Sequence, residues 1–110
     1  MKQKDIYLVN LNPTLGSEQN GIRPVVIFSG NTMNDNLEVS IVCPLSSSIK
    51  GYEGCVFVKK DSLNNLENDS EIITFQIRTV SNKRFIKKIG EISDGQLKDL
   101  KLKLFEILTY

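Results

Sequence analysis

Leu11-Asn12-Pro13-Thr14-Leu15-Gly16-Ser17-Glu18-Gln19-Asn20-Gly21-Ile22-Arg23-Pro24 decides how the rest of the chain is read. It lies between two apolar strand-like runs, Asp5 to Asn10 and Val25 to Phe28, and is far longer than a hairpin turn requires. Pro13, Gly16, Gly21 and Pro24 mark it as loop, while Ser17, Glu18, Gln19 and Arg23 bring a hydroxyl, a carboxylate, an amide and a guanidinium close together in sequence. Those are the polar groups of a site. On composition alone, a solvated surface loop accounts for the same residues equally well.

Outward from that loop, the chain reads as short strands. Period-two alternation places Ile6 and Leu8 on one face of the first strand and Tyr7, Val9 and Leu11 on the other. Val25 to Phe28 is a continuous apolar run, short enough for a strand covered on both faces, and Ser29-Gly30-Asn31 ends it. Leu37, Val39, Ile41 and Cys43 alternate with Glu38, Ser40 and Val42, and Pro44, lacking an N–H, is expected to end that ladder. Leu45-Ser46-Ser47-Ser48-Ile49-Lys50-Gly51 then packs three hydroxyls at a strand end, where they serve either as turn formers or as ligand contacts. Gly54 to Val58 is a further strand, and Asp61 to Asn68 a polar connection with room for one helical turn. Ile72 to Val80 is the longest strand pattern, with Ile73, Phe75 and Ile77 on one face and Thr74, Gln76 and Arg78 on the other. Ser81-Asn82-Lys83 turns into a last strand, Arg84 to Ile89, ended by Gly90.

The C-terminus changes period. Ser93 with Gln96 forms a capping box, Asp94 suits the positive end of the helix dipole, and Ile92 can staple against Leu97. Leu97, Leu100, Leu104, Ile107 and Leu108 make the apolar stripe; Leu102 lies off it and hints at a partner surface. The expected fold class is therefore mainly β with a C-terminal helix (α+β), a small antiparallel barrel-like sheet with the helix packed on it.

The totals narrow the function classes. At 110 residues, 40% hydrophobic and 25% charged, the chain is expected to form one domain over residues 1–110. No apolar run approaches membrane-spanning length, and Met1-Lys2-Gln3-Lys4-Asp5 leads into a strand rather than a signal-peptide core, so a cytoplasmic location is expected. Cys43 and Cys55 lack metal-ligand spacing and read as small buried hydrophobes. The acids Glu67, Asp69 and Glu71 fit no calcium-loop pattern, so no metal is expected. A net charge of +1 gives no field to hold a long duplex, but Arg78, Lys83, Arg84, Lys87 and Lys88 form a local patch without an intervening acid. Histidine is absent, which excludes a Ser-His-Asp mechanism within the chain, and without Trp any base stacking falls to Tyr7, Tyr52 or a Phe.

The run Asp5-Ile6-Tyr7-Leu8-Val9, then Asn12-Pro13 and Gly16-Ser17-Glu18-Gln19-Asn20-Gly21-Ile22-Arg23-Pro24-Val25, resembles the MazF/PemK (Kid) toxins of bacterial toxin–antitoxin pairs. Ile41-Val42-Cys43-Pro44-Leu45-Ser46 and Phe75-Gln76-Ile77-Arg78-Thr79-Val80 fall where that family has its second and third motifs, so the resemblance covers nearly the whole chain. It implies an SH3-like barrel of the CcdB type, a homodimer, and cleavage of single-stranded RNA at short sequences with no metal or other cofactor. The implied partners are RNA, a cognate antitoxin whose acidic tail would meet the Arg78 to Lys88 patch, and operator DNA only through the antitoxin complex.

Carried over by position, Arg23 matches the family's catalytic arginine, Ser46 stands where many members have a catalytic threonine, and Glu18 matches the acid of the first loop. Gln76 and Arg78 match the motif lining the RNA groove, and Ser17, Gln19, Asn20 and Ser47 are the further RNA-binding candidates. The chain departs from PemK-type members at Ser17, where they have histidine, and at Ile73 and Phe75, where they have an Arg-x-Asp pair, so their acid/base scheme cannot operate here. The chemistry open to these residues is attack of the RNA 2′-hydroxyl on its own phosphate, with Arg23 stabilising the phosphorane and protonating or polarising the leaving 5′-oxygen, and Ser46 holding the phosphate. Glu18 is the candidate base, with orientation of Arg23 or Gln19 as its other reading. The rival classes are a CcdB-like toxin that binds gyrase and cuts nothing, and an inactive barrel acting only as a co-repressor partner.

Overall fold

The computed structural model describes residues 1–110. In chain order it contains β1 (Asp5–Asn10), β2 (Ile22–Ile27), α1 (Asn31–Asn36), β3 (Val39–Ser46), β4 (Val56–Val58), β5 (Ser70–Ile72), β6 (Arg78–Ser81), β7 (Phe85–Glu91) and α2 (Asp94–Thr109), with 3₁₀ turns at Thr74–Gln76 and Asn82–Arg84. All strand pairs are antiparallel, in the order β4-β5-β3-β2-β1-β7, with β6 also pairing with β3. The mainly-β class with a C-terminal helix is as the sequence reads. The sheet curls without closing, because β4 and β7 remain its two ends; barrel-like is a loose description of it.

Two apolar clusters lie against this curved sheet. Ile6, Val26, Cys43, Leu45, Ile72, Ile92 and Leu100 belong to one, and Val9, Leu11, Val25, Ile27, Val42 and Val80 to the other. Alternation along β1 and β2 sends neighbouring residues into different clusters, which is why these strands read as apolar on both faces.

Three ladder expectations are corrected. Pro44 does not end β3, which runs on to Ser46. The N–H and C=O of one strand residue point to the same edge, and at Pro44 that edge faces the break between β5 and β6, where its carbonyl accepts from Ile73 N–H at 2.9 Å. The long strand expected over Ile72 to Val80 is in fact two strands separated by the Thr74–Gln76 turn. Thr74 is fully buried and its hydroxyl donates to the Gly54 carbonyl at 2.5 Å, a contact that draws the chain out of the ladder. Gly90 does not stop β7 but lies within it, and a Cβ there would come within 2.5 Å of the Leu63 and Asn64 carbonyl oxygens. Its bare Cα admits the 61–68 connection against the strand.

The sequence also misses α1. Its residues Asn-Thr-Met-Asn-Asp-Asn carry no apolar period; Asn34 holds it, donating through Nδ2 to the Ser29 carbonyl at 2.8 Å and accepting from Ser29 Oγ at 2.5 Å. The capping box of α2 is present, with Ser93 Oγ accepting from Gln96 N–H and Gln96 Oε1 from Ser93 N–H. Leu100 is the one fully buried residue of that helix and Leu97 packs beside it, whereas Leu108 is 78% exposed. Leu104 and Ile107 are half-buried, Ile107 against Gly54, so the apolar stripe loses its cover only at its end.

Candidate active site

The long loop is built rather than slack. At its base Leu11 N–H donates to the Gly21 carbonyl at 2.9 Å, and Gly21 N–H to Asn12 Oδ1 at 3.1 Å. At its tip Leu15 N–H donates to Glu18 Oε1 at 2.6 Å while Glu18 N–H donates to the Leu15 carbonyl at 3.2 Å, a reciprocal turn. Gln76 ties the middle to the rest of the protein, donating through Nε2 to the Ser17 carbonyl (3.0 Å) and accepting through Oε1 from Gln19 N–H (3.3 Å).

Between this loop and the end of β3 lies a cleft of about 350 Å³. Arg23, from the start of β2, and Ser46, from the end of β3, both line it, together with Ser17, Gln19 and Gln76. Arg23 Nε donates to the Asn20 carbonyl at 2.8 Å, and no carboxylate lies within ion-pair distance of its guanidinium, so the remaining N–H groups are open to a ligand. Ser46 is 8% exposed, and its Oγ accepts from Ser48 N–H at 3.1 Å, leaving its hydroxyl proton to donate. Gln19 Oε1 is a buried acceptor without a hydrogen-bond partner.

Four of the residues singled out in the sequence lie elsewhere. Glu18 closes its own loop tip and does not line the cleft. Asn20 contributes only its carbonyl to Arg23. Ser47 turns to a second cavity of about 490 Å³, which Arg23 also borders and which Lys87 and Lys88 line. Arg78 donates through Nη1 to the Leu11 carbonyl at 3.2 Å and braces the loop from behind. Of the other cations in the basic patch, Arg84 donates to the Asn10 and Asn12 carbonyls, and Lys88 pairs with Asp5 at 3.2 Å, which raises the lysine's pKa.

The cleft also holds Ser48 of the serine run, the stacking candidate Tyr52 and Phe75, and two residues the sequence reading did not assign to it, Lys50 and Glu71. Tyr52 and Phe75 stand 6.3 Å apart at a tilt of 50° and are both largely exposed, a surface on which a base can stack. Lys50 lies just beyond the serine run, a placement that could have flagged it. Glu71 carried no such signal, because only the β3–β5 register sets it opposite Ser46. It does not converge with Glu67 and Asp69 on a metal-binding cluster. A guanidinium and a hydroxyl facing one cleft, with exposed aromatic faces beside them, suit a phosphodiester flanked by an unpaired base.

The fold and the cleft define a small, mainly β protein with an arginine and a serine facing one cleft. Residues 2–108 match the family described as PemK-like, MazF-like toxin of type II toxin–antitoxin system, and the chain belongs to that family. It is 37% identical over 101 residues to an endoribonuclease MazF of Staphylococcus saprophyticus, covering 91% of this chain and 84% of that protein. Solved structures share the fold. MazF from Deinococcus radiodurans superposes with a TM-score of 0.85 at 22% identity, covering 100% of this chain and 97% of that one. A mycobacterial endoribonuclease in complex with its cognate antitoxin gives a TM-score of 0.80 at 17% identity, over 98% and 94% of the two chains.

Proposed function

We propose that this chain is the toxin of a toxin–antitoxin pair and an endoribonuclease that cleaves single-stranded RNA at short sequences, leaving 2′,3′-cyclic phosphate and 5′-hydroxyl ends. The observation that carries the reading is that Arg23 and Ser46, more than twenty residues apart in sequence, line a single cleft. Arg23 grips the non-bridging phosphate oxygens and stabilises the charge that develops as the phosphorane forms. The Ser46 hydroxyl donates a further hydrogen bond to the same phosphate. Ser17, Gln19 and Gln76 shape the wall along which the strand lies, and the Tyr52–Phe75 surface receives a base. Glu18, Asn20 and Arg78 hold the loop in shape rather than meeting the reacting phosphate, and Ser47 meets a flanking nucleotide in the neighbouring cavity.

The partner that restrains the toxin is a cognate antitoxin; an acidic segment of it would lie over the cations around Arg78 to Lys88, and operator DNA is reached only through that complex. The active unit is a homodimer, supported by the exposed apolar residues Leu102, Phe105 and Leu108 on α2. No helix is long and apolar enough to cross a membrane, and the proposed site of action is the cytoplasm.

Purified protein is incubated with a long bacteriophage RNA in EDTA, cut sites are mapped by primer extension, and end chemistry is read by mass spectrometry. Cyclic phosphate ends formed in EDTA, and lost in Arg23→Ala by ~10²–10³ in rate, support the reading. A magnesium requirement or 5′-phosphate ends overturn it. A gyrase-binding toxin or an inactive co-repressor cuts nothing in the same tube.

A further inference from the structure

Attack by a 2′-oxygen requires that its proton leave, and the chain has no histidine to take it. Glu18 is already committed to Leu15 N–H at the loop tip, outside the cleft. One carboxylate does line the cleft that holds Arg23 and Ser46, and it is Glu71. Building on the reading of that cleft as an RNA-cleaving site, we propose that Glu71 is the general base that accepts the 2′-hydroxyl proton.

Its placement is fixed from two sides. The β3–β5 register sets Glu71 directly across from Ser46, so the carboxylate and the hydroxyl approach the cleft from neighbouring strands. Its Oε1 accepts from Lys50 N–H at 3.1 Å and its Oε2 from Gly51 N–H at 3.3 Å, which immobilises both oxygens while leaving each a second lone pair for a substrate hydroxyl. The side chain is nearly buried, yet no cation lies within ion-pair distance of it. An unneutralised carboxylate in a cleft that receives a phosphate is unfavourable for binding alone. It is intelligible where a proton has to be taken up.

In the step itself the 2′-O–H bond breaks and its proton passes to a Glu71 oxygen, while the O2′–P bond forms. The P–O5′ bond then breaks and the departing 5′-oxygen takes a proton from water at the open mouth of the cleft. Glu71 returns its proton to the hydroxide left behind, so the enzyme is regenerated. Arg23 and Ser46 face the phosphate throughout and neither gains nor loses a proton.

The other titratable groups facing Glu71 are Arg23, Lys50 and Tyr52 across the cleft and Cys55 from the segment before β4, whose thiol is pushed up by burial and by the Glu71 charge. Arginine, lysine, tyrosine and such a thiol change charge on the alkaline side. A fall in rate toward acid therefore reports the carboxylate.

The test uses a short RNA spanning a cut site mapped on the bacteriophage RNA, in single-turnover reactions from acid to alkaline pH. Glu71→Gln is expected to lower the cleavage rate ~10²–10⁴-fold with little change in KM, and to abolish the acid limb of the pH profile. Formate should restore part of the activity of Glu71→Ala by occupying the space left behind. A Glu71→Gln enzyme that cleaves at the wild-type rate overturns the proposal, as does one that is slower but keeps the same acid limb, since that is the mark of a purely structural tether. Should neither variant fold, a wild-type profile without an acid limb overturns it equally. Wild-type protein that does not cut RNA at all refutes the broader reading instead, so the two failures are told apart.

Discussion

Gln76 Nε2 donates to the carbonyl of Ser17 at 3.0 Å across 59 residues of sequence, and its Oε1 accepts from the amide of Gln19. The residue expected to line the RNA groove thus also sets the shape of the loop that carries Arg23. Each such bond contributes about 0.5–1.5 kcal/mol, and both are lost in Gln76→Ala. Because they tie a surface loop and not the core, the loss falls on the site rather than on the fold. RNA cleavage should fall by about tenfold, with the melting temperature little changed and proteolytic nicking between Pro13 and Asn20 faster, as read by limited digestion and mass spectrometry. A drop in activity accompanied by global unfolding would contradict this division.

Arg23→Lys keeps the charge and still should not keep the activity. The Nε of Arg23 is spent on the Asn20 carbonyl at 2.8 Å while the other end of the fork faces the cleft; a lysine ammonium cannot do both. A rate loss of ~10² or more is expected by single-turnover assay. Ser46→Thr, which retains the hydroxyl, should stay active. Ser46→Ala removes it, leaves the Ser48 N–H without its 3.1 Å acceptor, and should be slow.

Where local chemistry decides the structure, the chain was legible. Ser93 and Gln96 announce the start of α2, and the apolar runs of β1 and β2 place those strands to within a few residues of their observed ends. Arg23 and Ser46 were legible as a pair only through the resemblance to a toxin family, since nothing in their spacing says that β2 begins beside the end of β3. What the sequence hides is set by distant partners. Thr74 leaves the expected strand because its hydroxyl meets Gly54, and α1 exists because Asn34 meets Ser29. Glu71 looks like one more surface acid until strand register turns it into the cleft.

Gly90 gives a stability prediction independent of the site. An alanine Cβ there would press to within 2.5 Å of the Leu63 and Asn64 carbonyls, which are backbone atoms and cannot rotate away. Forced overpacking of this kind costs about 1–3 kcal/mol. Gly90→Ala should therefore melt roughly 5–15 °C below wild type by circular dichroism. Gly30→Ala is the control: a Cβ at that position would meet nothing within 4 Å, so its melting temperature should be close to that of wild type.

The buried thiol of Cys43 links stability to alkaline pH. Burial pushes it up from 9.0 to about 12, so the folded chain keeps its proton where the unfolded chain has already released it. A group raised on folding stabilises fully below its unfolded value and progressively less as pH rises toward the folded one. Other groups titrate in that window too, so the comparison is between wild type and Cys43→Ala. The variant loses a packed sulfur and starts less stable, but it is spared the thiol's alkaline loss. The gap between their urea midpoints should narrow as pH rises from 9.0 toward about 12. A gap that stays constant across that range would mean the thiol ionises in the folded protein as readily as in the unfolded one, and the burial account of Cys43 would fail.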